Sequence, residues 1–502
     1  MAFDAGKSGK IDPTDFPILI VGTGFSGLGM AIALKKAGIE NFQILERADD
    51  VGGTWRDNHY PGCACDVQSH LYSFSFEQNP DWTRMFARQP EIKAYLQACT
   101  RKYGLASHIQ FNAEVVSARY DEASALWVVG TRDGRRFTGR ALVSGMGGLS
   151  TPAFPDVKGI ENFQGERFHS ALWNHDYDLK GKRVAVIGTG ASAIQFVPQI
   201  QKQVGQLDLY QRTPPWIIPK PDREIGATER AIYRRFPLVQ KLFRGAIWAF
   251  LETRVLGFVF NPKIMKLPEA LARRHIRKQI ADPALRAKVT PDFGFGCKRV
   301  LISDDYYPAL TQKNVDVITD GIREVRAHSV VTTDGVERPV DCIIFGTGFK
   351  AQDPLPRGAI FGRGGQDITD AWPQGPEAYK GTTVAGFPNL FLLMGPNTGL
   401  GHSSMVYIIE SQIAYALDAI RQMRAGAIRA IDVRPERQAA YNQRLQSQLS
   451  ASVWTAGGCK SWYINANGRN TTLWPGFTFR FREETRRFEA ADYRLERETA
   501  KA

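Results

Sequence analysis

Ile18-Leu19-Ile20-Val21-Gly22-Thr23-Gly24-Phe25-Ser26-Gly27, running on through Leu28–Ala37 to Gly38, decides the fold of this 502-residue chain. A short apolar run rich in β-branched residues stops at a glycine turn, which opens into a helical pattern; the order is strand, tight turn, helix. Phe42-Gln43-Ile44-Leu45-Glu46 follows as a second strand ending on an acid, which completes a βαβ unit. The plan recurs downstream. Arg183–Ile187 runs into Gly188-Thr189-Gly190-Ala191-Ser192-Ala193, then a helix, then the strand Leu207–Tyr210. A lone G-x-G-x-x-G is weak evidence. Between strand and helix it has a mechanism, because the glycines permit the turn and let a pyrophosphate approach the helix N-terminus. The expected fold is α/β, with two Rossmann-like dinucleotide-binding domains and a helical insertion.

The residue that closes each unit selects the nucleotide. Glu46 lies 24 positions past Gly22, where a carboxylate accepts hydrogen bonds from both ribose hydroxyls and repels a 2′-phosphate. At the same distance past Gly188 stands Arg212, followed by Thr213, and a guanidinium there clamps a 2′-phosphate. The pair reads as FAD on the first unit and NADPH on the second. Ala193 in the third glycine position is an accepted variant. The blander reading of Arg212 is a surface residue at a strand end.

Composition sets the limits. Apolar content of 43% and charged content of 23% are ordinary for a globular chain, and 502 residues make about three structural units. Nothing in Met1–Lys10 reads as a secretory signal. The most apolar stretch, Phe243–Phe260, is broken by Arg244, Glu252 and Arg254; it reads as a helix pair and not as a transmembrane segment, with membrane-surface contact through Trp248, Phe250 and Phe258 as the lesser reading. A cytoplasmic location is expected. The net charge of +13 lacks a basic run with interleaved aromatics, so an anionic cofactor accounts for it better than nucleic acid. The tail Arg480–Ala502 reads as a solvated mixed-charge helix. Oligomeric state, monomer or dimer, is not encoded in any motif.

Six cysteines are present, and only Cys63 and Cys65 stand close together, at the wrong spacing for a zinc knuckle. The expectation is six buried free thiols, no disulfide and no metal. No C-x-x-C or C-x-x-x-x-C exists to take electrons from a reduced flavin, which favours dioxygen or an outside acceptor as the oxidant.

Between the two units, Tyr72–Tyr103 reads as helical. Val115–Tyr120, Trp127–Thr131 and Ala141–Ser144 read as strands, with a turn at Asp133-Gly134, and Pro152–Pro155 as an exit linker. The organisation expected is an FAD-binding domain of 1–150 and 345–502, an NADPH-binding domain of 151–220 and 291–344, and a helical insertion at 221–290.

Phe163-Gln164-Gly165-Glu166-Arg167-Phe168-His169-Ser170-Ala171-Leu172-Trp173 stands just before the second unit. With the two glycine turns, this F-x-G-x-x-x-H-x-x-x-W run resembles the fingerprint of type I Baeyer–Villiger monooxygenases, Asn174 departing from the Pro or Asp common at the next position. Related N- and S-oxygenating flavoproteins usually end the run in an aromatic other than the Trp173 type. The resemblance extends over nearly the whole chain and implies a ketone and dioxygen as substrates. The product is an ester or lactone, formed through a flavin peroxide, with sulfoxidation as a side reaction.

The resemblance also distributes roles. It implies that Gly52-Gly53-Thr54-Trp55, Tyr60-Pro61-Gly62, Cys65-Asp66 and Tyr72 lie on the flavin side, with Asp66 near the isoalloxazine. Lys298 helps hold the 2′-phosphate, while Arg299, oriented by Asp66, reaches the flavin and stabilises the anions of the reaction. Phe387–Phe391 with Gly395-Pro396-Asn397 is similar to the returning flavin-binding segment, Trp454 to a mobile-loop tryptophan over the nicotinamide, and His169 to a hinge residue without acid–base duty. N- or S-hydroxylation, or NADPH–flavin reduction without oxygenation, are the alternatives. The segment Ser461–Gly476 points weakly to linear aliphatic or aryl ketones.

Overall fold

The computed structural model describes residues 16–350, 356–459 and 461–498; Met1–Lys10 and the last four residues of the tail lie outside them. The first glycine turn leaves strand Ile18–Val21 and enters helix Phe25–Lys36. A Cβ on Gly27 would stand 1.9 Å from the Gly22 carbonyl oxygen, so no other residue lets the helix return this close to its strand. Leu28, Met30, Ile32 and Leu34 are fully buried on that helix, each contributing roughly 1.5–3 kcal/mol.

Two five-stranded parallel sheets result. The first runs Leu390–Leu392, Ala141–Ser144, Ile18–Val21, Phe42–Leu45, Ile109–Gln110. The second runs Val315–Ile318, Gln206–Tyr210, Arg183–Ile187, Cys342–Phe345, Glu166–His169. An antiparallel hairpin system, Val115–Asp121, Leu126–Thr131 and Arg136–Gly139, packs beside the first and is joined by Ile360–Phe361 from far down the chain. The chain thus leaves the first sheet after Ser144, builds the second, and comes back at Leu390.

The segments that cross between the sheets touch. Pro152 pairs with Phe349 in an antiparallel bridge, Ala153 N donates to the Gly348 carbonyl at 2.9 Å, and Lys350 N donates to the Thr151 carbonyl at 3.0 Å. The insertion holds helices Ala227–Arg235, Pro237–Glu252, Lys266–Gln279 and Pro283–Val289, and strands Ile217–Ile218 and Leu301–Ile302 pair in parallel at its base.

Three local expectations are corrected. The helix read over Tyr72–Tyr103 is confined to Gln89–Lys102, because Pro90 suits the first turn of a helix and not its interior. In the tail, Tyr493–Arg497 is a strand antiparallel to Ile428–Val433, with Tyr493 fully inside; backbone pairing and the burial of Tyr493 outweigh the mixed charge. Cys297 and Cys459, 162 positions apart, form a disulfide where free thiols were expected, a pairing that sequence spacing does not reveal. The other four cysteines are free and buried.

Candidate active site

A cavity of about 960 Å³ opens between the two sheets, in the upper range of small-molecule sites. From the second unit it is lined by Gly188, Gly190, Ala191, Ser192, Arg212 and Thr213, from the first by Thr54, Trp55, Asp66 and Tyr72, and from later segments by Lys298, Arg299 and Gly395. Gly147, Gly148 and Gly348 rim it on the crossing segments, and a Cβ at any of the three would meet nothing within 4 Å. The open glycine rims give extended phosphate-bearing groups room to lie along the backbone, so the residues present suit two dinucleotides.

Asp66 and Arg299 meet inside this cavity from positions 233 residues apart. Arg299 donates from Nε at 2.9 Å and from Nη2 at 2.6 Å, both to Oδ2 of Asp66. About a third of each side chain stays open to the cavity. Burial alone would raise the Asp66 carboxyl, but the adjacent guanidinium holds it below its ordinary value. The Asp66 charge in turn raises Arg299, so the pair is ionised at every working pH. Only one carboxylate oxygen is engaged by the arginine, and the guanidinium keeps donors free for a third partner. Tyr463 packs close by, its phenol pushed up to about 12 by burial.

Arg212 and Lys298 form a second cationic group. Burial, then the neighbouring Arg212 charge, pulls the Lys298 ammonium below its ordinary value. Among the described residues neither cation has a carboxylate within ion-pair distance. Asp292 offsets only part of this charge, and two like charges held together are a ready anion site.

On the first unit, Phe25 packs edge-on against Tyr72 with centroids 5.1 Å apart, and Trp55 Nε1 donates to the Tyr72 hydroxyl at 3.1 Å. Gly22, Gly24, Gly27, Gly53 and Glu46 lie behind this wall and do not line the cavity. Glu46 is buried and saturated: Oε2 accepts from Thr23 N and Oγ1 at 2.9 and 2.6 Å, and Oε1 from Ala48 N at 3.0 Å and Arg56 Nη1 at 2.7 Å. A ribose reaches Glu46 only by displacing one of these donors, and Arg56, which also has Asp57, is the one with another carboxylate to turn to.

The fingerprint residues are structural neighbours of the cavity and not its lining. Phe163 and Trp173 are buried, Trp173 between Phe168 and Phe196 at 5.1 and 5.2 Å. A Cβ on Gly165 would stand 2.5 Å from both the Asp341 carbonyl oxygen and the Phe163 ring. His169 ends its strand fully buried, its ring centroid 5.5 Å from that of Phe154 and 5.7 Å from that of Phe349, one on each crossing segment. Its Nδ1 accepts from Ala171 N at 3.1 Å, and burial lowers its pKa, so it stays neutral.

Two further expected site residues, Asn397 and Trp454, also lie outside the cavity lining. Asn397 adopts a left-handed φ of 55° and donates from Nδ2 to the Asn470 and Leu473 carbonyls at 2.7 and 3.1 Å, holding the cavity wall at 471–473 from behind. Trp454 is 1% exposed and stacked on Phe258 at 5.5 Å; on the short helix Val453–Ala456 it faces the core. In this part of the chain the tryptophan that lines the cavity is Trp462, 46% exposed, three residues after Cys459, whose disulfide ties this loop to the residue before Lys298. Sequence reasoning also passed over Gln195. It accepts from the Tyr60 hydroxyl at 3.0 Å and from Ala64 N at 3.2 Å, and donates to the Ala64 carbonyl at 3.0 Å, joining the second unit to the first. Its place two residues after the second glycine turn was the available signal.

Burial pushes the Cys63 thiol up to about 12 and Cys65 further still, so neither is a thiolate at neutral pH. Both line the cavity as free thiols.

Comparison with known proteins agrees with this geometry. Residues 17–361 match the model of the flavin-binding monooxygenase-like family. A Baeyer–Villiger monooxygenase of Pseudomonas aeruginosa is 63% identical over 479 residues, covering 95% of this chain and 91% of that protein. One from Streptomyces coelicolor is 49% identical over the same share of this chain and 92% of its own length. The crystal structure of cyclohexanone monooxygenase from Rhodococcus sp. Phi1 bound to NADP+ superposes with a TM-score of 0.85 at 29% identity, covering 96% of this chain and 99% of that one. The chain belongs to the flavin-binding monooxygenases and, within them, to the type I Baeyer–Villiger group. It is an FAD-containing, NADPH-dependent enzyme that inserts an oxygen atom next to a ketone carbonyl.

Proposed function

We propose that the Arg299–Asp66 pair is the reacting centre of this oxidation, and that Arg212 with Lys298 holds the 2′-phosphate of NADPH. The overall change is ketone, dioxygen, NADPH and a proton to ester, water and NADP+. FAD, when bound, supplies the two-electron chemistry that couples NADPH to dioxygen. Arg299 supplies a permanent cation where negative charge develops on the carbonyl oxygen, a contribution typically worth about 10²–10³-fold in rate. Asp66 fixes its orientation, and Trp55 and Tyr72 wall the site from water. His169 and the paired crossing segments act as the hinge between an FAD domain of 1–150 and 345–502 and an NADPH domain of 151–220 and 291–344.

The observation that carries this reading is the convergence of Asp66 and Arg299 in the one cavity that the second glycine turn also lines. The test is incubation with NADPH, labelled dioxygen and a panel of linear, cyclic and aryl ketones, followed by gas chromatography with mass detection. One labelled oxygen in an ester or lactone supports the reading. Oxygenation of amines or sulfides alone contradicts it.

A further inference from the structure

The helix Pro237–Glu252 is built inside out. Its inward face carries Gln240, Arg244 and Glu252 besides Ile247 and Leu251, all buried. Each polar group is satisfied there. Arg244 Nη1 donates to the His70 and Ser73 carbonyls at 2.6 and 3.0 Å, Gln240 Nε2 to the Asn79 carbonyl at 2.6 Å, and Glu252 accepts from Thr478 N and Oγ1 at 2.8 and 2.9 Å. The outward face carries Leu238, Leu242 and Phe250, and the segments beyond add Phe260 and Leu267; these five are between 55% and 79% exposed. Of the nineteen large apolar residues exposed among the described residues, eleven fall between 232 and 271. Isolated exposed leucines need no explanation, but such a concentration marks an interaction surface.

The charge of the same segment says what covers it. Residues 230–278 hold twelve Lys and Arg against two Asp and Glu, net +10 of the chain's +13. Neither acid offsets the outer face: Glu252 is buried, and Glu269 is paired with Arg273 at 2.8 Å. Arg235, Lys241, Lys263, Lys266 and Arg274 are all exposed, while Arg234 pairs with Asp81. A second copy of the chain would bring the same +10 against this face. An apolar strip rimmed by cations suits a surface with anionic headgroups above acyl chains. No helix among the described residues is long and apolar enough to cross a membrane, so the contact is one of lying on the surface.

We propose that the insertion's outer face seats this enzyme on the surface of an anionic phospholipid bilayer. The inference is independent of the residue roles assigned above. The inner side of the same insertion packs toward the active site: Phe258 stacks on the buried Trp454, and the Arg254 guanidinium feels the charges of Asp66 and Arg299. A bilayer-seated insertion therefore brings the site close to the phase into which apolar ketones partition.

The experiment is flotation of the flavin-loaded enzyme with vesicles of phosphatidylcholine alone and of phosphatidylcholine with phosphatidylglycerol in equal parts. The enzyme floats with the anionic vesicles at low salt and is released by raised salt. Lys263→Gln with Lys266→Gln lowers the partition about twenty-fivefold, about fivefold per cation removed. Leu242→Ser with Phe250→Ser abolishes flotation while flavin absorbance and NADPH oxidation stay at the parental level. The proposal is overturned if the parent does not float with anionic vesicles, or if flotation is equal on neutral vesicles and indifferent to both double variants. A concentration-dependent dimer that Leu242→Ser with Phe250→Ser dissolves, without vesicle binding, would assign the face to a second copy instead.

Discussion

Removing the Arg212 guanidinium by Arg212→Ala should convert an enzyme selective for NADPH into one that barely distinguishes it from NADH. The two cofactors differ only in the 2′-phosphate, so the whole effect is the lost contact to that group. A hydrogen bond to a charged group contributes about 1.5–3 kcal/mol, and the exposure of Arg212 places it at the lower end. That corresponds to about tenfold in kcat/KM for NADPH, carried mainly by KM, with NADH use unchanged. Lys298 remains beside the phosphate and, relieved of a neighbouring cation, titrates nearer its ordinary value. Lys298→Ala alone should therefore cost less than Arg212→Ala, and the double variant more than the sum of the two. The assay is anaerobic flavin reduction followed by absorbance over a range of each nucleotide. Equal loss with NADPH and NADH would show that Arg212 supports the strand end and does not read the phosphate.

Burial holds the His70 imidazole down at about 4, against about 6.5 in an unfolded chain. The unfolded state takes up a proton between those values that the folded state refuses, so stability present above pH ~6.5 is lost as pH falls, by up to about 3 kcal/mol. Denaturant unfolding should show the parent losing about 2 kcal/mol more than His70→Phe between neutral pH and pH ~5; equal losses would place the proton uptake elsewhere. Gly165→Ala forces a methyl group against the Asp341 carbonyl and the Phe163 ring and should lower stability by about 1–3 kcal/mol, read as a drop in melting temperature. Thiol titration of unfolded, unreduced protein should find four free cysteines, and six after reduction; six from the start would remove the Cys297–Cys459 bond.

Both nucleotide units were legible because their evidence is local. The strand, the glycine turn, the helix and the selecting residue fall within some 25 positions, and sterics demand glycine where the helix turns back on its strand. Asp66 and Arg299 were readable only as members of family motifs, since their contact joins loops 233 positions apart and no periodicity marks it. That Trp462 and not Trp454 lines the cavity has the same origin. Two tryptophans eight residues apart look alike in sequence, and which one faces the cavity depends on a short helix and a disulfide whose partner lies 162 positions upstream. The inverted helix at Pro237–Glu252 was hidden for a different reason: its 3.6-residue period gives the position of an apolar stripe and not the side on which the core lies.

The most direct test of the account is ester formation by Arg299→Ala, measured by gas chromatography against the flavin absorbance of the same preparation. Losing one cation from a cavity wall leaves two separately folded nucleotide units intact, so the variant should keep its flavin. It should release peroxide from NADPH and dioxygen and give no ester from any ketone the parent accepts. Arg299→Lys should restore little, because a compact ammonium cannot address Asp66 and the reacting oxygen together as the planar fork does. Parental ester yield from fully flavinated Arg299→Ala would contradict the assignment of the Arg299–Asp66 pair as the reacting centre.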